Sequence, residues 1–444
     1  MAHTPLVTLP AKSSFDSHHP PAAELLRECV HCGFCLPACP TYMLWREEMD
    51  SPRGRIYLMQ MAADGKIPVL DEKFVQHIDR CLGCMSCMTA CPSGVQYDKL
   101  LEATRAQIER NHRRNGWARL HREAIFALFP YPERLKVAAR LLWALQHSGM
   151  QWLIRRTGLL KLLPQQLQDM DALLPDLRLK DLPGDRPAMI PAAGTARKRV
   201  GVILGCVQRV FFDRVNSATI RVLTAEGCDV YIPPEQGCCG ALMTHCGREP
   251  EAITAARKLI DAFDPLNLDY IVVNAAGCGS AVKEYDHLLR DDPAYSAKAQ
   301  AFAAKCRDVS EVVCDLTAQA ERKPLPLRVA YQDSCHLLHA QGLRSQPREM
   351  LKSIPGIELL DIAEAGMCCG SAGVYNLLES ETARALGQRK AVNVSRTHPD
   401  ALVSANPGCL LQITKELRRQ NQAVRAYHLV EVLDASIRGV KLGS

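Results

Sequence analysis

No run of this 444-residue sequence reaches the ~18 consecutive apolar residues that a membrane span requires. The best stretch, Leu141 to Leu163, is interrupted by Gln146, Arg155, Arg156 and Lys161. From Met1 to Pro21 there is neither the apolar segment nor the cleavage pattern of an export signal. A secreted disulfide framework is therefore not expected. Charge of one sign is also lacking: 54 Lys and Arg against 48 Asp and Glu leave a net +6, which does not call for nucleic acid. Pairs such as Arg113-Arg114 and Arg418-Arg419 read as solvated helix faces. There is no HExxH and no visible Ser/His/Asp arrangement, and Gly277-Cys-Gly279 is too short for a dinucleotide fingerprint. No catalytic residue for an organic substrate can be named.

Cysteine, by contrast, is abundant. Of 20 cysteines, eight precede residue 92, none lies between Cys91 and Cys206, and twelve follow. In a chain without an export signal that density points to metal. The first eight form two copies of one pattern: Cys29, Cys32, Cys35 and Cys39-Pro40, then Cys81, Cys84, Cys87 and Cys91-Pro92. This C-x2-C-x2-C-x3-C-P spacing is that of two-cluster bacterial ferredoxins, in which the fourth cysteine serves the other cluster. Three cysteines at three-residue intervals wrap one corner of a cubane, and the proline turns the chain away. The expected ligands are Cys29, Cys32, Cys35 and Cys91 for one [4Fe–4S] cluster, and Cys81, Cys84, Cys87 and Cys39 for a second. Structural zinc favours separated C-x2-4-C pairs instead. Gly33, Gly83, Ser86, Ala38 and Ala90 allow close backbone approach, and His31 is expected to be exposed rather than ligating.

Ser51 as N-cap and Pro52 at the first helical position predict a helix to about Ala63. A second is expected from Asp71 to Cys81. Leu141, Leu142, Leu145, Trp152 and Leu153 form an apolar surface with interspersed arginine. Core packing is the expected reading, with a partner or membrane interface as the alternative. Prolines from Leu174 to Pro191 suggest a linker without regular structure.

The C-terminal half repeats itself. A buried-strand pattern ends in Cys206 and again in Cys335; Cys238-Cys239-Gly240 is matched by Cys368-Cys369-Gly370, and Cys278 by Cys409. The offsets are 129, 130 and 131 residues. Apolar runs alternate with amphipathic stretches such as Pro250 to Phe263 and Glu381 to Val394, which argues for α/β units with parallel pairing. Each repeat offers four thiols for a further iron–sulfur or metal site: Cys206, Cys238, Cys239 and Cys278, and Cys335, Cys368, Cys369 and Cys409. Free buried thiols acting as small apolar side chains are the alternative. Gly240 and Gly370 are expected to leave room beside such a site. Asp333 and His336 could support it, and Cys228, Cys246, Cys306 and Cys314 read as structural.

Here the sequence resembles the cysteine-rich CCG domain family of heterodisulfide reductases and of iron–sulfur subunits of flavin dehydrogenases. That family's pattern ends in C-x-x-C. This sequence has Cys278-Gly-Ser-Ala281 and Cys409-Leu-Leu-Gln412, so the last cysteine is missing from both repeats. The segments Cys29 to Cys35, Cys39 to Tyr42, Ser51-Pro-Arg-Gly-Arg-Ile-Tyr57, Gly277 to Tyr285 and Cys368 to Gly373 look like the iron–sulfur subunit of bacterial glycolate oxidase. The resemblance runs from about residue 24 to 437. It implies an α+β multidomain protein: a helical two-cluster domain over 24–110, a helical connector and linker over 111–195, and α/β CCG domains over 196–322 and 323–440. It also implies flavin-binding partner subunits, a quinone-type acceptor, and a cytoplasmic place at the inner membrane face. Glycolate dehydrogenation to glyoxylate is the expected activity of the complex. A lactate or glycerol-phosphate dehydrogenase, or less readily a thiol–disulfide reductase, is the alternative.

Overall fold

The computed structural model describes residues 13–177 and 184–443. Residues 1–12, 178–183 and 444 lie outside it, and with them part of the N-terminal and linker expectations. The chain forms two compact units, one of residues 1–120 with 242–250, the other of residues 121–241 with 251–444.

The first unit is helical. Ser51 caps the helix Pro52–Ala63, its side chain accepting from the Gly54 N–H, and Asp71 caps Glu72–Asp79 by accepting from Lys73 and Phe74. The longer helix Tyr97–Asn111 buries Leu100, Leu101 and Ile108 against Ile56, Met59 and Ile78. These three helices form a frame from which the cysteine loops project.

The second unit holds two sheets. The strands are β1 (Met189–Ile190), β2 (Lys198–Ile203), β3 (Cys228–Tyr231), β4 (Tyr270–Val273) and β5 (Cys306–Asp308). They are followed by β6 (Leu327–Gln332), β7 (Ile357–Leu360), β8 (Ala401–Ser404) and β9 (Arg425–His428). The sheet orders are β1-β3-β2-β4-β5 and β7-β6-β8-β9. Apart from β1, which runs antiparallel to β3, every pairing is parallel. β1 thus gives regular structure to the end of the expected linker. Strands covered on both faces need continuous apolar runs, and Val200, Val202, Val329 and Val403 are fully buried. The amphipathic stretches are the helices Glu249–Phe263 and Ser380–Ser395.

The repeats share one core that includes Val200, Val272, Val329 and Val403. Arg221 clamps Asp434 with two hydrogen bonds of 2.8 and 2.7 Å across the pair. The chain passes from β2 to β3 on one side and then crosses to β4 on the other, and in the same way from β6 to β7 and then to β8. The crevice at the carboxyl ends of β2 and β4, and of β6 and β8, is the switch point where open α/β sheets bind ligands.

The connector departs from the core-packing expectation. Leu142 packs against buried Leu135 and Ala139, but Leu141, Trp152 and Leu153 are each more than half exposed. The helix Met150–Arg156 buries only Gln151. Seven residues are too few to hide a full apolar stripe.

Candidate iron–sulfur sites and their family

The first unit gathers eight of its nine thiols around two hollows. One, about 430 Å³ with its open mouth, is lined by Cys29, Cys32, Cys35 and Cys91, together with Arg53 and Tyr97. The other, about 300 Å³, is lined by Cys39, Cys81, Cys84 and Cys87, with Arg55 and Tyr97. Each motif thus sends its fourth cysteine to the hollow of the other. Cys87 borders both hollows. The turn arises because Pro40 opens the helix Pro40–Trp45 with Cys39 as its N-cap, which carries Cys39 away from its own triplet.

The hollows differ in exposure. Val30 and Phe34 are about two-thirds exposed at the first, and Cys32 and His31 are exposed beside them. All four thiols of the second are buried. Cys81 Sγ accepts from the Gly83 N–H at 3.4 Å and from the Tyr97 hydroxyl at 3.5 Å. Thr41 Oγ1 lies 3.3 Å from Cys39 Sγ. Burial opposes ionisation of Cys81, yet the Arg55 and Arg105 guanidiniums hold its thiol below the ordinary value. Arg55 is itself buried, donating to the His77 carbonyl at 2.6 Å, to Thr41, and to Asp50 at 3.3 Å. Sequence reading missed Arg53 and Arg55 as wall residues of the two hollows. Their signal was two cations at i and i+2 in the first turn of a Ser-capped helix, adjoining neither cysteine motif.

The thiols fit a multi-iron group better than one metal ion. Tetrahedral zinc at ~2.3 Å from each sulfur would draw four sulfurs to about 3.8 Å from one another. Among the described residues no three cysteine sulfurs lie within 4.8 Å of one another.

In the second unit each repeat collects its four thiols at the strand ends. Cys206 follows β2, Cys238-Cys239 follow β3 and Cys278 follows β4. Cys206 and Cys238 sulfurs are 3.4 Å apart, and Cys239 interacts with Cys278. Cys335, Cys368-Cys369 and Cys409 repeat this after β6, β7 and β8. There Cys335 and Cys368 sulfurs lie 3.9 Å apart, and Cys369 meets Cys409. Cys206 is pushed well up by its hydrogen bond with Cys238 and by burial. Cys369 is pushed up to about 12, first by its bond with Cys368. Asn406 links the two groups, donating to Cys409 Sγ at 3.5 Å while its Oδ1 accepts from the Gly277 N–H, also at 3.5 Å.

Two supporting expectations change. Asp333 does not serve the thiols: its carboxylate takes both Arg348 nitrogens at 2.7 Å. Gly240 and Gly370 make room for backbone. Both have positive φ, and a Cβ would meet the Ala252 carbonyl oxygen at 3.2 Å and that of Ala383 at 2.6 Å. His336 does sit by Cys335, its Nδ1 3.6 Å from the sulfur. Cys228 and Cys306 are buried on β3 and β5, as structural residues would be.

Family comparisons add to this geometry. Residues 25–95 match the 4Fe-4S dicluster domain, and residues 200–283 and 329–414 each match the cysteine-rich CCG domain. Residues 117–174 match the linker region of the glycolate oxidase iron–sulfur subunit. The probable glycolate oxidase iron–sulfur subunit of Bacillus subtilis is 43% identical over 92% of this chain and 93% of its own. This chain belongs to the glycolate oxidase iron–sulfur subunit family. A second member, from Escherichia coli, is 34% identical over 94% of this chain and 95% of its own. Lactate utilization protein A of Oceanobacillus iheyensis is 29% identical over 54% of this chain and 98% of its own. The sequence-level fold expectation holds: a helical ferredoxin-type region precedes two CCG domains.

Proposed function

We propose that this chain is the electron-transfer subunit of a flavin-dependent glycolate dehydrogenase complex. A flavin-binding partner subunit takes electrons from glycolate, forming glyoxylate, and this chain passes them toward a quinone-type acceptor. The observation that carries the reading is a pair of four-thiol hollows in a member of this family. Cys29, Cys32, Cys35 and Cys91 would hold one [4Fe–4S] cluster, and Cys81, Cys84, Cys87 and Cys39 the other. Such clusters supply one-electron transfer. The protein's own part is to hold thiolate sulfurs, to direct the Gly83 N–H at Cys81, and to offset negative charge with Arg53 and Arg55. The exposed rim of Val30 and Phe34 makes the first hollow the port for a redox partner. The CCG thiols are further candidate ligands. The reading keeps the four-part division at 24–110, 111–195, 196–322 and 323–440.

Among the described residues no helix is long and apolar enough to cross a membrane, and we place the chain as a peripheral protein at the cytoplasmic membrane face. Lactate is the second substrate reading, supported by the lactate utilization relative. The test adds glycolate, lactate or glycerol 3-phosphate anaerobically to the purified complex and follows bleaching of the cluster absorption. Glycolate should bleach it. Bleaching by lactate alone would transfer the assignment. Iron and sulfide should each be about eight per chain from the first unit, and this chain alone should not oxidise glycolate.

A further inference from the structure

Residues 134–168 contain six cations, Arg134, Lys136, Arg140, Arg155, Arg156 and Lys161, and no aspartate or glutamate. Their sum equals the net +6 of the whole chain. Elsewhere the two signs are mixed, so the basic excess is concentrated here. At the edges of the stretch Lys136 pairs with Glu133 at 2.7 Å and Arg155 with Asp171 at 3.0 Å.

The same stretch exposes its apolar residues. The helix Pro132–His147 is followed by the short helix Met150–Arg156 and a 3-10 turn over Leu159–Leu162. Along them Leu141, Met150, Trp152, Leu153 and Leu159 are more than half exposed, and Leu162 is 81% exposed. The turn Leu159–Leu162 has no buried residue at all. The Arg156 guanidinium lies over the Trp152 ring, 4.8 Å from its centroid, which puts a cation and an indole at one place.

Two forces therefore select the same occupant. Exposed leucine and tryptophan gain by leaving water. Cations without nearby carboxylates gain beside negative charge. A protein partner's interface would satisfy the first. An anionic lipid surface satisfies both: indole and arginine settle at headgroup level, leucines reach the acyl boundary, and the stretch itself carries no carboxylate. Its helices, 16 and 7 residues long, are too short and too charged to span a bilayer, so the segment would lie in the interface.

We infer that residues 134–168 form the membrane-docking surface of this chain, with anionic phospholipid as its partner. The inference rests on the reading of a membrane-borne quinone acceptor, and names the part of the chain that brings it to the lipid.

The test sediments the full, iron-loaded chain with vesicles of phosphatidylcholine containing about a third phosphatidylglycerol, and with phosphatidylcholine alone, in ~0.1 M and ~0.5 M salt. The anionic vesicles should retain the chain at low salt, with at least about tenfold weaker binding at high salt or on neutral lipid. Arg156→Gln with Lys161→Gln should weaken binding by about tenfold or more. Trp152→Glu with Leu162→Glu should abolish it. All four positions are exposed, and unchanged cluster absorption and circular dichroism confirm folding; should the glutamate pair misfold, the glutamine pair still decides. Binding that ignores the substitutions overturns the inference. So does absence of wild-type binding, including the case where the glutamate pair instead loses the flavin-binding subunits on purification. The vesicles contain no quinone. Reduction of a soluble quinone by the detergent-solubilised complex tests the acceptor separately, so either reading can fail alone.

Discussion

Thiols meet in two different ways in this chain. In the first unit eight of them rim two hollows, contributed by loops whose fourth cysteines change places. In the second unit they come from the ends of parallel strands, and the sulfurs touch at 3.4 Å in one repeat and 3.9 Å in the other. Touching, buried thiols behave as small apolar side chains, so those strand ends close on themselves. Thiols spread around a hollow have no such contact to fall back on, and their spacing makes sense only with something between them. Both units have apolar cores, but only in the first do the candidate ligands surround a space rather than one another.

Iron removal should break this comparison most visibly. Chelation under reducing conditions should reduce amide protection across 24–110 by a factor of ~100 or more, since ligand binding that exists only in the folded state is folding energy. Protection in β2–β4 and β6–β8 should change little. Hydrogen exchange with mass spectrometry reads both regions in one sample. Equal loss in both units would show that the CCG thiols also depend on metal.

Next in size is loss of one centre by a single ligand change. Cys39→Ser should disturb the centre held by Cys81, Cys84 and Cys87, so its EPR spectrum should match that of Cys84→Ser. Cys91→Ser should match Cys32→Ser. A Cys39→Ser spectrum that copies Cys32→Ser would mean that each motif serves its own hollow.

Much of this was legible because spacing carries it. Two C-x2-C-x2-C-x3-C-P runs and a cysteine offset of 129 to 131 residues encode covalent reach and repetition, which need no tertiary information. Ser51-Pro52 and Asp71 marked their helix starts because caps are local. What spacing does not carry is who faces whom. Asp333 beside Cys335 was drawn to Arg348, fifteen residues on. Leu141, Trp152 and Leu153 read as core by composition, but burial depends on whether another element covers them. Gly240 and Gly370 were recognised as glycines that make room, and only the path of the following helix shows that the room is for a carbonyl.

The repeats differ from each other in a way that pH should expose. At equivalent places, Asp308 caps the helix Val309–Asp315 and His428 caps Leu429–Arg438, each within a capping box. Burial pushes the Asp308 carboxyl up to about 6 and His428 down to about 4. Between about pH 4 and 6 folded Asp308 holds a proton that the unfolded chain releases, so its contribution is present below the unfolded value and fades as pH rises through 6. For His428 the unfolded chain binds the proton, so stability is present above about 6.5 and is lost as pH falls toward 4. The Val430 N–H donates to His428 Nδ1 at 3.2 Å, an acceptor that protonation removes. Each effect is on the order of 3 kcal/mol with opposite sign. Because the two act over the same window and offset each other, urea unfolding from pH 4 to 7 should tilt the profile in opposite directions: Asp308→Asn should make stability rise more steeply with pH, and His428→Asn should make it fall; matching changes would refute the assignment.

The smallest effect separates the two hollows within the first unit. Arg55 is 1% exposed at the second hollow, whereas Arg53 is 29% exposed beside the first and already bound to Glu48 at 2.6 Å. Both arginines have a carboxylate partner, but a buried cation favours the reduced, more negative state of a neighbouring centre, and a solvent-screened one does so weakly. Arg55→Gln should lower the potential of the second centre by tens of millivolts, up to about 100 mV, and Arg55→Lys should restore most of it. Arg53→Gln should move the first centre by a small fraction of that. Because Arg55 also bonds Thr41 and the His77 carbonyl, glutamine could loosen the wall as well as remove charge. The lysine variant separates these causes: it keeps the charge and loses the planar fork. EPR-monitored redox titration of the three variants reads each centre individually. If Arg55→Lys shifts the second centre as far as Arg55→Gln does, the guanidinium acts through packing, and the electrostatic difference between the hollows is wrong.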